Sequence, residues 1–356
     1  MKLDNKNIKQ LDGIRGISIL IVFFSHIGLG HLVPGGFGVT VFFFISGFLI
    51  AKLLLHELQL STRINFRNFY IRRAFRLYPA LLFFTALTVL VLLLHGVGLI
   101  PSQLFAALFY LENYYYVYFI NYQEVHLLYS IFKILWSLSI EEHYYLFYPV
   151  FLVATHRHTG LHIGLSVLLL LIPLLLRIHY ANSLVDPHLF EKYNYSLTHT
   201  RIDSILYGSL LAYLLYKSRY SARAYAFLRN RFVLIIAIAV LLLTFIWRDD
   251  VFRETFRYSL QGLFLAPLIV FTIYGGNSWL NRMFFCNDLL VYIGKLSYSI
   301  YLFHWLAIPL ASYHFVKFGM TWQAFVVLLT VGLSLFSYYR VEMPFVKLRK
   351  KFGSNV

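Results

Sequence analysis

Apolar blocks separated by short polar or basic stretches recur along the chain at close to the length a helix needs to cross a hydrocarbon core, roughly 20 residues at about 1.5 Å each. In order they predict helices over residues 12–30, 36–56, 79–98, 131–153, 162–178, 201–216, 232–247, 258–274, 291–311 and 321–338. Residues 104–120 form one more apolar block, but Tyr110, Tyr114, Tyr115, Tyr116 and Tyr118 crowd it, and Glu112 and Asn113 interrupt it. Tyrosine favours the boundary between lipid and water. The expected fold class is an all-α polytopic membrane protein of about ten transmembrane helices with one additional interfacial or re-entrant segment.

Charge decides whether 104–120 crosses, because one span more or less inverts the side of every later loop. If it does not cross, the segments assigned to the cytoplasm hold 21 Lys and Arg against 5 on the other side; if it crosses, the split is 14 against 12. Basic loops stay inside, so the first arrangement is expected, with both termini cytoplasmic. Composition agrees with a lipid setting: of 356 residues, 60% are hydrophobic and 13% charged, too little polar surface for a soluble globule. The net charge of +16 would point to nucleic acid in a soluble protein. Here loop orientation accounts for it, and no nucleic-acid partner is expected.

Cys286 is the single cysteine and cannot form an internal disulfide. The N-terminus is basic and then apolar like a signal peptide, yet it carries Arg15 and His26 and lacks a small-residue cleavage pattern, which predicts a retained anchor. One domain over residues 1–356 is expected, without internal repeats and with no soluble C-terminal domain after the basic tail at 347–351.

Arg15 and His26 lie eleven residues apart. At 100° per residue that is about 20° from a whole number of turns, so a straight helix puts both on one face, roughly 16 Å apart along its axis. Ionisable groups at membrane depth usually face the bundle interior and mark function. A snorkelling Arg15 and a structural His26 are the alternatives. Asp12 is expected to cap the helix.

The strings LDGIRGISILIVFFSH (residues 11–26) and GGFGVTVFFFISGFLI (35–50) resemble the opening of acyltransferase family 3, in which Arg and His are separated by ten residues. FYIRRAFRLYP (69–79), WSLSIEEHYYLFYP (136–149), TRIDSILYG (200–208), GKLSYSIYLFHW (294–305) and YYRVEMPF (338–345) continue the resemblance in order. His143 stands where the family usually has glutamine, and Met343 where it usually has arginine. The resemblance implies a bacterial inner-membrane O-acyltransferase moving an acyl group, usually acetyl, from acetyl-CoA or another cytoplasmic acyl-CoA to a carbohydrate or glycolipid hydroxyl. Lipopolysaccharide O-antigen is the acceptor type expected. No metal is expected.

Each motif has a physical reading beside this one. Arg72, Arg73 and Arg76 precede the third predicted span, where guanidinium forks would hold coenzyme A phosphates, or anchor the chain beside anionic lipid. Glu141 and Glu142 cannot both face one direction on a helix. Counting from the predicted start of their span places them at the depth of His26, so one of them would orient its imidazole as general base, while a nucleophilic His26 remains the alternative. Arg201 and Asp203 open the sixth span as an acceptor-binding pair or as a local ion pair. His304, Trp305 and Trp136 would line the acceptor pocket, or belong to an interfacial aromatic belt. The rival from another class is a proton-coupled transporter or flippase of a glycan or lipid-linked sugar.

Overall fold

A computed structural model describes residues 8–120, 125–184, 186–217, 220–275, 279 and 281–352. Among them the regular structure is helical and no strand occurs. The first helix, α1 (Lys9–Phe24), runs into a π-helical turn, Ser25–Leu29. Two long helices follow, α2 (Gly35–Ser61) and α3 (Phe66–Leu94). The tyrosine-rich block divides into α4 (Pro101–Leu108) and α5 (Glu112–Tyr118), with Tyr110 between them at φ 56°. Eight residues of helix rise only about 12 Å, so neither piece can cross as a helix.

A 3₁₀ segment, Leu127–Ile134, leads into α6 (Leu135–Thr155), then come α7 (Thr159–Ser183), α8 (Pro187–Ser196), α9 (Thr198–Arg201) and α10 (Asp203–Tyr216). Helices α11 (Ser221–Leu228) and α12 (Arg231–Ile246) meet at a 65° bend. The chain ends through α13 (Asp250–Glu254), α14 (Phe256–Tyr274), α15 (Asp288–His314), α16 (Met320–Phe336), a π turn at Ser337–Glu342, and α17 (Met343–Arg349).

Six helical stretches are long and apolar enough to cross a membrane, or seven if the bent pair α11 and α12 counts as one span. α6 and α15 have the length but not the apolar character, and α10, at 14 residues, lacks the length. These three carry much of the polar chemistry described below.

Two of the boundaries that move bear on the site. The third helix starts at Phe66, capped by the Asn65 side chain accepting from the Asn68 N–H at 2.9 Å, and Pro79 lies inside it. Arg72, Arg73 and Arg76 therefore sit on the helix rather than in a loop before it. Asp12 is in the first turn of α1, with Ile8 at the cap position. The carboxylate instead lies 3.9 Å from Arg15.

Close backbone contact fixes the helices that carry the site. A Cβ on Gly294 of α15 would stand 1.8 Å from the Asp12 carbonyl oxygen of α1, and one on Gly47 of α2 would stand 1.9 Å from the Ile205 carbonyl of α10. Without a hydrophobic drive between helices in lipid, such small-residue contacts set which faces meet. The first contact aligns α1 with α15 over the whole path from Arg15 to His26.

Candidate active site

His26 lies in the π turn. Ile27 and Gly28 leave helical geometry there, Gly28 with φ 112°, a conformation open to glycine and costly for residues with a Cβ. A wide turn leaves backbone carbonyls without helical partners, and Gln323 of α16 donates its amide to the Ile27 carbonyl at 3.2 Å. Sites with such turns often serve function.

The turn presents His26 to α15. Its Nδ1 is 3.1 Å from Nε2 of the fully buried His304, and the two rings stack at 5.3 Å and 9°. His304 Nδ1 lies 3.0 Å from the Ile300 carbonyl. A carbonyl can only accept, so His304 carries its proton on Nδ1. In the neutral ring Nε2 is then an acceptor, and His26 must donate to it from Nδ1–H. This assigns the free lone pair of His26 to Nε2. Trp305 presents its ring at 4.9 Å and 72° to the His26 ring, held by its Nε1–H donating to the Ser130 carbonyl at 2.8 Å.

A separate cavity of about 80 Å³ is lined by Arg15, Arg73, Arg76, Glu141, Tyr145, Ser297 and Tyr301, with Phe43, Leu49 and neighbouring side chains of α2. Arg15 donates to Ser297 Oγ at 2.9 Å, and Glu141 accepts from Tyr145 Oη at 2.9 Å. Glu141 thus stands with Arg15 and Arg76, whereas the ring nitrogen of His26 is met by a histidine. The expected Glu141 and His26 pair does not form here. Glu142 stays outside the cavity lining, its Oε1 buried without a hydrogen bond.

Between the two groups, Tyr301 and Ser137 share a hydrogen bond of 2.5 Å, and the Tyr301 ring lies 5.7 Å from that of His304. Along its length from Ser297 to Trp305, α15 therefore presents Ser297 at Arg15, Tyr301 at Ser137, then His304 and Trp305 at His26. Seven residues of helix separate its ends, about 10 Å.

The remaining candidates divide. Arg73 lines the cavity between the rings of Phe69 and Tyr145, 5.9 and 5.6 Å from their centroids. Arg72 is outside the cavity lining, donating to Glu57 at 3.3 Å and to the Phe352 carbonyl at 2.8 Å. Arg201 and Asp203 do not pair as a local ion pair. Asp203 takes Arg177 of α7 at 2.8 Å, both fully buried, and Arg177 also donates to Ser259 at 2.6 Å and to the Thr255 and Thr200 carbonyls. Arg201 stacks 3.7 Å over the Tyr258 ring and donates to Thr40 at 3.3 Å. Trp136 packs against Tyr195, 4.6 Å between ring centroids. His143 bonds Thr198 at 2.6 Å. Among the described residues no three His, Cys, Asp or Glu side chains gather to hold a metal ion.

The sequence profile of a family described as "Acyltransferase domain" matches residues 8–339, which takes in α1, α15 and every helix between them. The chain belongs to that acyltransferase family. It is 31% identical, over 96% of its length, to a Staphylococcus aureus (strain COL) protein named "Putative O-acetyltransferase", and 30% identical, again over 96%, to the O-acetyltransferase OatA of S. aureus (strain NCTC 8325 / PS 47). In both cases the chain spans 57% of the relative's length. No solved structure matches.

Sequence reasoning missed Arg177, the Tyr301 and Ser137 pair, and the hydrogen bond of His304 to His26. An arginine inside the apolar run of α7 was a signal for the first. The other two depend on which face of α15 meets α1 and α6, which no local pattern reports.

Proposed function

We propose that the protein transfers an acetyl group from cytoplasmic acetyl-CoA to a hydroxyl of a cell-surface carbohydrate, such as lipopolysaccharide O-antigen, across a bacterial inner membrane it spans ten times with both termini inside. The family match over residues 8–339 carries the reading, and the names of the S. aureus relatives favour acetyl transfer to oxygen. Arg73 and Arg76, with Arg15 deeper in, offer guanidinium forks to the phosphates and thioester arm of the donor. The cavity leads from them toward Tyr301, one turn of α15 short of His304.

In the chemical step, His26 Nε2 takes the proton of the acceptor hydroxyl as its oxygen attacks the thioester carbonyl. A carbon–oxygen bond forms, the carbon–sulfur bond breaks, and the leaving thiolate recovers the proton from His26. The hydrogen bond from His26 Nδ1–H to His304 orients the ring and spreads the positive charge it gains, as a carboxylate does in a hydrolase triad. A positioned base of this kind is worth about 10²–10⁴ in rate.

Acetyl-CoA consumption by purified protein in liposomes tests the reading. His26→Ala should reduce acceptor-dependent turnover by about 10²-fold or more; full turnover without the imidazole would refute it. The orientation is tested by cysteine labelling in a Cys286→Ser background, where the 217–231 loop should react only from the cytoplasmic side.

A further inference from the structure

Two lysines share one aromatic ring beside the outer end of the path. Lys133, in the 3₁₀ segment before α6, and Lys192, on α8, each place Nζ 4.7 Å from the centroid of Tyr116 on α5. The two ammonium groups therefore stand at most twice that distance apart. Both side chains are half-buried. Among the described residues neither forms an ion pair, and the polar contact of Lys192 is the Ile120 carbonyl at 3.5 Å.

One lysine over a tyrosine is an ordinary cation–π contact. Two on the same ring repel each other in a partly dehydrated place, where screening by salt is weaker than in open solvent. Their side of the membrane makes this more unusual. In the charge assignment above, Lys192 is one of only 5 basic residues in the outer segments. Three tertiary elements nevertheless bring it together with Lys133.

The position ties the pair to the chemistry. Lys133 is three residues from Ser130, whose carbonyl holds Trp305, and the Trp305 ring lies against His26. The cations thus sit beside the outer approach to the imidazole, at the opposite end from the arginines of the cavity.

We infer that Lys133 and Lys192 bind an anionic group of the acceptor, a carboxylate or phosphate of the glycan near the hydroxyl that is acylated. The acceptor is then an acidic carbohydrate, a narrowing of the acyl-transfer reading on which this inference rests. The anion lies between the two ammonium groups and relieves their repulsion. Uncharged glycans gain nothing from the pair and bind weakly.

The test separates binding from turnover. Cell-envelope glycans, divided by anion exchange into neutral and anionic fractions and fluorescently labelled, are passed over immobilised full-length protein. The anionic fraction should be retained, and Lys133→Gln/Lys192→Gln should weaken its binding by about tenfold or more, with the loss shrinking at high salt. Lys133→Arg/Lys192→Arg should keep most of the affinity, which shows that charge and not fold is read. Capping carboxylates with carbodiimide and an amine, or treating with phosphatase, identifies the anion by which step abolishes retention. Equal retention of the neutral fraction, or unchanged binding by the glutamine variant, would overturn the inference. Acetyl-CoA consumption with and without His26 is read separately, so a failure of acyl transfer itself is not mistaken for a failure of this site.

Discussion

The two ends of the path that α1 and α15 share are built from opposite materials. At one end Arg15, Arg73, Arg76 and Glu141 surround a cavity; at the other His26 and His304 stack without a charged partner, closed in by Trp305 and Phe23. A charged, open end suits a large anionic donor that must be held and released. The neutral, packed end suits a base that must keep its proton inventory fixed, with the tautomer set by a backbone carbonyl. On the proposed mechanism the contrast separates charge binding, by Arg15 together with Arg73 and Arg76 of α3 and Glu141 of α6, from proton transfer at His26, with the Tyr301 and Ser137 hydrogen bond between them.

The broadest way to break the contrast is to part α1 from α15. Gly294→Val puts a branched side chain where even a Cβ would meet the Asp12 carbonyl, and loss of the folded protein from the membrane, read by detergent size-exclusion, is expected. Next in size, Arg177→Met strands Asp203 and the carbonyls of Thr255 and Thr200 in the interior. Removing one partner of a buried pair costs about 3–5 kcal/mol, so a large drop in thermal stability should appear although Arg177 touches neither end of the path.

Finer changes sharpen the comparison. His304→Phe keeps ring packing but removes the acceptor for His26 Nδ1–H. Turnover should fall about tenfold to a hundredfold, a loss on the scale of removing an orienting partner, while the donor's KM stays within about threefold because the cavity is untouched. Arg72→Gln should have the smallest effect. Arg72 is bound to Glu57 and the Phe352 carbonyl, so donor KM should change less than about threefold, against tenfold or more for Arg76→Gln.

Much of this architecture is legible in the pattern of apolar blocks, because a membrane helix declares itself by length and hydropathy. The first span, its Arg15 and His26, and the failure of 104–120 to form one crossing helix could all be read that way. The depth of Glu141 could not. Glu141 meets Arg15 and Arg76 in the cavity rather than His26, and this depends on how deeply α6 packs against its neighbours, which no local pattern reports. Nor does a straight-helix calculation find the π turn at His26, for which Gly28 is the sole local sign. The apolar block that predicts the third helix begins at 79, after the basic stretch, while the cap that begins α3 is Asn65. The Arg177 and Asp203 pair joins α7 to α10, and adjacency in sequence suggested the wrong partner.

The separation of donor binding from proton transfer is tested most directly by measuring equilibrium acetyl-CoA binding and acetyl transfer side by side, in His26→Ala and in Arg73→Gln/Arg76→Gln. The expected result is that His26→Ala binds the donor within about threefold of the parent protein yet transfers at least a hundredfold more slowly, whereas the double arginine variant weakens donor binding by tenfold or more. Loss of donor binding in His26→Ala equal to that in the arginine variant, or transfer that survives without His26, would contradict it.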